Sequence, residues 1–255
     1  PLALFQRALA LSAAGRDAEA EASVEESLAL HPSGNVYVTK VYLLTDRGDL
    51  EQARAALEKV PGPYLLEDLG TNAASRLWLW RREPEKCLEV LRAVPRDFLV
   101  TGPFAGPKGL LTGRAHHMAG RTVAAAADWR SALQVIAQRP AAQRNSANLL
   151  FRKAQVLAYL GERDEAGRVL QEFQEQLAGG RADYRVALVN AQLNKLEVAL
   201  EILESQKLPR AVFSILRFDP DFDPLRENAR FQALLRQADA GAPAPQAKPA
   251  TWPKK

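Results

Sequence analysis

An all-α fold built from repeated helical pairs is predicted by three features of this sequence. The first is periodicity, because Gly15 and Gly48 stand 33 residues apart and Pro61 and Pro95 stand 34 apart. The second is the return of small residues at fixed places around each turn, which closely packed helices require. The third is composition: 47% hydrophobic residues in a chain of 255 support an extended core, and no apolar run approaches the length of a membrane span.

The turn position of the repeat can be followed through six copies. Glycine suits this position because a helix that ends in a left-handed residue is least strained without a Cβ, and asparagine adopts that conformation at low cost. Arginine in the third copy departs from the pattern. The six turn residues are Gly15, Gly48, Arg82, Gly120, Gly161 and Asn194.

Together these positions resemble the tetratricopeptide repeat, a helical pair that buries its apolar face only when neighbouring units stack. The resemblance runs from Leu2 to about Arg236. It implies an all-α, right-handed α-solenoid of about six helix-turn-helix units with a concave inner face, closed by a C-terminal capping helix. The implied repeats lie at about 1–33, 34–67, 68–104, 105–145, 146–179 and 180–208, with the capping segment at 209–238, all in one domain over 1–238.

The stretch from Ser214 to Arg236 carries a second resemblance. It is similar to the segment that closes many bacterial proteins in which such repeats follow a signalling domain, namely serine/threonine kinases, adenylate cyclases and winged-helix regulators. The chain also begins at Pro1, inside the predicted first helix. We therefore expect this chain to be a fragment of a bacterial multidomain protein.

The capping segment has its own start signals. Asp223 is predicted to cap a helix that begins at Pro224, and Asn228 to cap the helix that follows. That second helix carries Phe231, Leu234 and Leu235 on one apolar stripe. We expect the stripe to cover the open end of the last repeat.

Two extensions interrupt the period. Arg96–Gly106 contains Gly102 and Pro103 and is predicted to be a surface loop, and Arg139–Ser146 forms a second extension. The residues over 239–255 are mainly Ala, Pro, Gln and Lys, which bury too little apolar surface to offset the entropy of ordering. This tail is predicted to be disordered.

Charge and cysteine content exclude several classes of protein. Lys and Arg exceed Asp and Glu by 34 to 30, a net charge of +4 that is scattered along the chain, so the fragment is not expected to bind nucleic acid. Cys87 is the only cysteine and occupies a small-residue packing position, which predicts a buried, inert thiol. The fragment is expected to make no membrane contact. The cytoplasm is favoured, with an extracytoplasmic location if a transmembrane segment precedes Pro1.

No catalytic or metal-binding group of residues is apparent. We therefore expect that the chain is not an enzyme and binds no cofactor. His116 and His117 are adjacent and point about 100° apart on a helix, so they cannot chelate one ion. His116 falls at a packing position and His117 faces the groove. Asp219, Asp221 and Asp223 alternate as the acids of a calcium loop do, but Pro220 and Pro224 interrupt them and no distal glutamate completes the loop. Turn formation and capping explain these acids better.

The resemblance implies which side chains face the concave groove. Arginine, asparagine and aromatic residues predominate there, and they suit an extended peptide because they supply forked donors and rigid apolar anchors. Arg76 and Arg114 occupy equivalent places in consecutive repeats and are the predicted anchors. The predicted peptide- or partner-binding residues are Tyr42, Asn72, Arg76, Trp80, Arg114, His117, Asn148, Phe151, Gln155, Tyr159 and Tyr184.

Packing is the alternative explanation for these residues. Trp80 and Tyr159 would then lie between repeats, and Arg76 would pair with a nearby acid such as Glu67 or Asp68. Trp78 and Trp129 are both expected in the interior. A two-carboxylate clamp for a chaperone tail is not expected, because the first repeat offers Phe5 and Leu9 where the family uses asparagine and lysine.

Two functions remain open. The first is a protein–protein interaction scaffold that binds a peptide or partner domain in its groove. The alternative is an intramolecular sensor or regulatory region of a serine/threonine kinase, adenylate cyclase or winged-helix transcriptional regulator, with the upstream domain as its own partner.

Overall fold

The structure is a computed structural model, and it describes residues 7–8, 10–12, 14–101, 104–177, 183–206, 208 and 210–240. The side chains of residues 210, 211 and 237–240 are not described. The disordered tail predicted over 239–255 begins within the last helix, which includes residues 239 and 240, and from residue 241 onward it lies outside the described residues. Gly102 and Pro103 of the predicted loop also lie outside them.

The chain is mostly helical, and adjacent helices pack against each other in pairs, so both of these predictions are confirmed. Residues 7–8 and 10–12 are also helical. The helices are α1 Asp17–Leu30, α2 Gly34–Arg47, α3 Leu50–Leu57, α4 Gly62–Leu65, α5 Asp68–Trp80, α6 Pro84–Ala93, α7 Lys108–Met118, α8 Thr122–Ala137, α9 Ala141–Arg144, α10 Ala147–Tyr159, α11 Arg163–Glu175, α12 Tyr184–Gln192, α13 Leu196–Glu204, α14 Arg210–Phe218 and α15 Ala229–Ala240.

The turns within the pairs have the backbone that the sequence predicts. All four turn glycines adopt a positive φ, from 73° at Gly15 to 90° at Gly48. Arg82 and Asn194 adopt the same left-handed conformation, at φ 60° and 59°. At Gly48 the turn closes as a helix C-cap, because the amide of Asp49 donates to the carbonyl of Leu44 at 2.9 Å.

The prediction of a surface loop over Arg96–Gly106 is wrong. Strands β1 (Phe98–Val100) and β2 (Ala105–Pro107) form a small antiparallel sheet in which Leu99 lies opposite Gly106. Leu99 is fully buried, whereas Val100 is exposed. This alternation lets a short apolar segment cover the core with one side of the strand pair.

Two large apolar cores run through the described helices. One joins α2–α3, α5–α6, the strand pair and α7–α8, and the other joins α10–α13 with α14, α15 and the turn before α15. Trp78 and Trp129 lie in the first core, as predicted for both. None of the helices in the described ranges is long and apolar enough to cross a membrane.

The segment after α13 does more than close the end of the helix array. Helix α15 packs against α13, and Asn228 caps it by accepting from the amides of Arg230 and Phe231, as predicted. Helix α14, by contrast, packs against α2, near the other end of the chain. Phe218 at the end of α14 stacks on Trp80 with ring centroids 5.9 Å apart.

The predicted cap at Asp223 is wrong. A 3₁₀ helix spans Pro220–Leu225, and Asp219 caps it by accepting from the amide of Asp221 at 3.0 Å. Asp223 instead lies inside this helix and accepts two hydrogen bonds from Arg82 at 2.7 Å. Because Pro220 supplies the first helical position, the capping signal sits one Asp-Pro pair earlier than expected.

Candidate functional site

The main cavity lies between the first helices of successive pairs and the segment that joins α14 to α15. Its volume is about 390 Å³, within the range of small-molecule and peptide sites. Its walls mix apolar side chains with four arginines and four aspartates. They are Asp46, Asn72, Arg76, Leu79, Trp80, Phe104, Leu111, Arg114, Asn148, Phe151, Arg152, Gln155, Asp183, Tyr184, Arg185, Leu188, Ile215, Asp219 and Asp221.

The structure gathers most of the residues that were predicted to face the groove into this cavity. Tyr42 instead is buried and donates a hydrogen bond to Asn72. His117 is exposed with its ring 5.7 Å from that of Trp129, and Tyr159 stacks on the same indole at 4.7 Å. The predicted residues that line the cavity are Asn72, Arg76, Trp80, Arg114, Asn148, Phe151, Gln155 and Tyr184.

One wall of the cavity is an ion-pair cluster made by the chain itself, which we call the aspartate plug and define as Asp219 and Asp221. Arg114 pairs with Asp219 and also lies 3.2 Å from Asp221. The three side chains are 4–13% exposed, so the pairs are shielded from water. Arg114, predicted to hold a partner, is therefore bound to carboxylates of its own chain.

Three further side chains hold the aspartate plug in place. Gln155 donates to Asp221 at 2.6 Å, the Tyr159 hydroxyl donates to the same carboxylate at 2.5 Å, and the Trp80 indole donates to Asp219 at 3.3 Å. All three were predicted to meet an external ligand. Each carboxylate oxygen of the plug therefore has at least one partner within the chain.

The electrostatics of the plug follow from burial. Burial would lower the pKa of Arg114, but the carboxylates of Asp219 and Asp221 raise it above its ordinary value. Burial raises the pKa of Asp221 from 3.8 to about 6, with Arg114 opposing the rise and Asp219 adding to it. Tyr159 keeps its proton because burial and Asp221 raise its pKa.

Arg76 is also bound within the chain. It pairs with Asp46 on α2, and its guanidinium lies 4.2 Å from the centre of the Trp80 ring. The expectation that an acid pairs with Arg76 is met, but the acid is neither Glu67 nor Asp68, and Asp68 pairs with Arg96 at 2.8 Å. Asp46, on the neighbouring helical pair, lies closer to Arg76 than the acids near Arg76 in the sequence do.

Arg152 is a cavity residue that the sequence analysis missed. Its guanidinium lies 4.5 Å from the Phe104 ring centre and 4.7 Å from that of Phe151. The available signal was its spacing, because residues three apart on a helix share a face, and Arg152 precedes the predicted groove residue Gln155 by three. The repeat positions that were used to predict the groove residues do not include the position of Arg152.

Outside the cavity, the structure agrees with the expected packing roles. Cys87 is buried, its thiol contacts the carbonyl of Ser75 at 3.7 Å, and burial raises its pKa to about 12. His116 lies 3.8 Å from Asp128, between α7 and α8. Across the described ranges, no three His, Cys, Asp or Glu side chains are placed to hold a metal ion.

Comparison with known proteins assigns this chain to no family. No family model matches the chain, and no curated protein matches it at a significant level.

The raised pKa of Asp221 predicts a dependence of stability on pH. The native state holds this proton up to about pH 6 whereas the unfolded chain releases it near 3.8, so the contribution of Asp221 to the unfolding free energy falls as the pH rises from about 4 to 6 and is constant above that. The two pKa values imply a fall of about 3 kcal/mol. Urea unfolding at pH 4.5, 5.5, 6.5 and 7.5 covers about 2 kcal/mol of this fall.

The Asp221→Asn variant is the comparison for this prediction, since it keeps the shape of the side chain but removes the titration. As the pH rises to about 6, the unfolding free energy of the native chain should fall relative to that of the variant. A difference that stays constant across the four pH values would show that Asp221 does not titrate in this window.

Proposed function

We propose that this protein is a binding module that captures a peptide, or an extended segment of a partner protein, in the cavity between its helical pairs. The observation that carries the proposal is the cavity itself, which combines aromatic walls with arginine, asparagine and tyrosine side chains. Such a surface supplies both the rigid apolar anchors and the forked donors of peptide recognition.

The architecture proposed with this function is a tetratricopeptide-type solenoid. The 33–34-residue period, the left-handed turn residues and the packed helix pairs support it. In this arrangement the first helix of each pair faces the cavity, as it does for α5, α7, α10 and α12.

The internal contacts divide the predicted binding residues into two groups. Arg114, Gln155, Tyr159 and Trp80 hold the aspartate plug, and their hydrogen-bonding groups are directed to it. Asn148, Phe151 and Tyr184 line the cavity from α10 and α12, and the structure describes no hydrogen bond between them and the plug. We assign ligand contact to this second group.

A cavity-filling substitution tests the proposal. Asn148 is half-buried and lines the cavity, so Asn148→Trp should occupy part of it. Gln171→Trp, on the exposed face of α11, adds the same indole elsewhere and serves as the matched control. Peptides selected from a random library on the native chain should bind Asn148→Trp at least tenfold more weakly, by fluorescence polarisation, and Gln171→Trp equally well.

Circular dichroism and thermal unfolding must first show that both variants fold. Selected peptides that bind native chain and Asn148→Trp with equal affinity would place recognition outside the cavity. If the library yields no peptide that binds the native chain, the proposal of peptide capture is wrong.

The alternative function is a regulatory region that holds an upstream kinase, cyclase or DNA-binding domain of the same protein. The resemblance of the segment from Ser214 to Arg236 to the ends of bacterial signalling proteins favours it. The coding sequence upstream of Pro1 separates the two: a signalling domain there supports the alternative, and a free-standing repeat array supports capture of a separate partner.

A further inference from the structure

The cavity contains one arginine whose charge the described residues leave uncompensated. Arg76 pairs with Asp46, Arg114 with Asp219 and Asp221, and Arg185 with Asp183 at 2.7 Å. Arg152 pairs with no carboxylate among the residues that the structure describes, and its sole hydrogen bond there runs to the amide oxygen of Gln155 at 3.2 Å. Its Nε is buried without an acceptor.

The surroundings of Arg152 make this arrangement unusual. Its guanidinium lies over the faces of Phe104 and Phe151, and burial lowers its pKa to about 10, a value at which the group is still charged at neutral pH. Aromatic faces replace only part of the hydration that a buried guanidinium loses. A second arginine, Arg185, lies 5.6 Å from the same Phe151 ring, but its charge is paired with Asp183.

Two neutral polar side chains near Arg152 also lack partners. Tyr184 and Asn148 line the cavity, and neither side chain makes a hydrogen bond to any described residue. Burial raises the pKa of Tyr184, so its hydroxyl keeps its proton and can donate. A guanidinium, a hydroxyl and an amide that share one cavity are the donors that an oxyanion takes.

We propose that Arg152, together with Tyr184 and Asn148, forms an oxyanion subsite that binds the carboxylate of the captured ligand. The inference rests on the proposed function, because it assumes that the cavity receives a ligand. A singly charged carboxylate fits better than a phosphate dianion, since one cation is uncompensated and Asp183 and Asp46 line the same cavity.

The apolar walls indicate what the carboxylate is attached to. Phe104, Phe151 and Leu188 lie in the same lining as Arg152. Within about 390 Å³, an aromatic or aliphatic body of one or two residues fits beside the charged group. The ligand class is therefore a carboxylate on an apolar body, carried by a peptide or by a free small molecule.

Isothermal titration calorimetry with defined probes tests the subsite. The charged probe is 3-phenylpropanoate, and its neutral counterpart is 3-phenylpropanamide. The native chain should bind the carboxylate at least tenfold more tightly than the amide. Arg152→Gln should weaken carboxylate binding at least tenfold and leave the amide unchanged, whereas Arg168→Gln, on the exposed face of α11, should match the native chain.

Peptide probes then identify the source of the carboxylate. Three short peptides with one central phenylalanine are compared: one with a free C-terminus, one amidated, and one amidated with an aspartate beside the phenylalanine. Binding of the first alone assigns a peptide C-terminus, binding of the third assigns a side-chain carboxylate, and binding of 3-phenylpropanoate at least as tight as both assigns a small molecule. Each result supports the subsite.

Stability measurements show whether Arg152 has a structural role instead. Removing an uncompensated, half-buried charge should raise the melting temperature of Arg152→Gln by about 2–4 °C. Arg152→Lys keeps the charge but loses the fork, so it should retain part of the carboxylate binding. A melting temperature that falls in both variants would identify a packing role and overturn the proposal.

The outcomes separate this inference from the proposed function. Equal binding of carboxylate and amide, or equal binding by the native chain and Arg152→Gln, would overturn the subsite. If library-selected peptides still bind the native chain and lose affinity for Asn148→Trp, peptide capture stands without the subsite. If no probe and no library peptide binds, both proposals fail.

Discussion

Replacing Arg114 by methionine should lower the unfolding free energy by about 3–5 kcal/mol at pH 8, the range observed when one member of a buried ion pair is removed. The reason is that Asp219 and Asp221 would remain buried beside each other without a cation, and the side chains of all three residues are 4–13% exposed. Urea unfolding followed by circular dichroism measures the loss. The loss should be smaller at pH 5, because protonation of Asp221 removes one of the uncompensated charges.

The triple variant Arg114→Met, Asp219→Asn, Asp221→Asn is the control for this prediction. Asparagine keeps the oxygen that caps the 3₁₀ helix at position 219 but carries no charge. The triple variant should recover at least half of the stability that the single variant loses, since a buried ion pair replaced on both sides is often close to neutral. A triple variant as unstable as the single one would assign the effect to lost packing of the arginine stem.

Gly113→Ala should lower the unfolding free energy by about 2 kcal/mol, the overpacking penalty less the gain in helix propensity. A Cβ at this position would overlap the indole of Trp129, which is buried between α7 and α8. The indole has little room to move, because it stacks on Tyr159 at 4.7 Å and lies against His117 on another side. Chemical denaturation, with near-ultraviolet circular dichroism of the tryptophans, measures the change.

Gly167→Ala is the matched control. Gly167 lies in α11 with no atom within 4 Å of the position that a Cβ would take. The same substitution there should raise the unfolding free energy by about 0.5–1 kcal/mol, because alanine loses less conformational entropy than glycine in a helix. Destabilisation of similar size at both sites would mean that the Trp129 contact is not the cause.

Much of the local structure follows from the sequence, because it depends on signals close together along the chain. The positive φ of Asn194 follows from its place in the repeat, and the cap at Asn228 follows from the apolar stripe after it. The strand at Phe98–Val100 was missed because three residues carry too little periodicity to distinguish a strand from a loop.

The candidate site was predicted only in part. Repeat positions identified eight of its nineteen lining residues, from Asn72 to Tyr184, because equivalent places on successive helical pairs face the same side. They could not reveal that Asp219 reaches Arg114 across 105 residues. The same limit applies to Arg152, whose lack of a carboxylate partner among the described residues is visible only when its neighbours in space are known.

The sequence by itself determined the mostly helical class, the pairing of adjacent helices and the left-handed turns, since each depends on propensity and periodicity within a few tens of residues. Tertiary structure alone decided which of the four cavity arginines pair with carboxylates and that Arg152 pairs with none among the described residues. The physical reason is that ion pairing and burial depend on distances in space, and segments remote in sequence, such as the one that carries Asp219 and Asp221, set those distances.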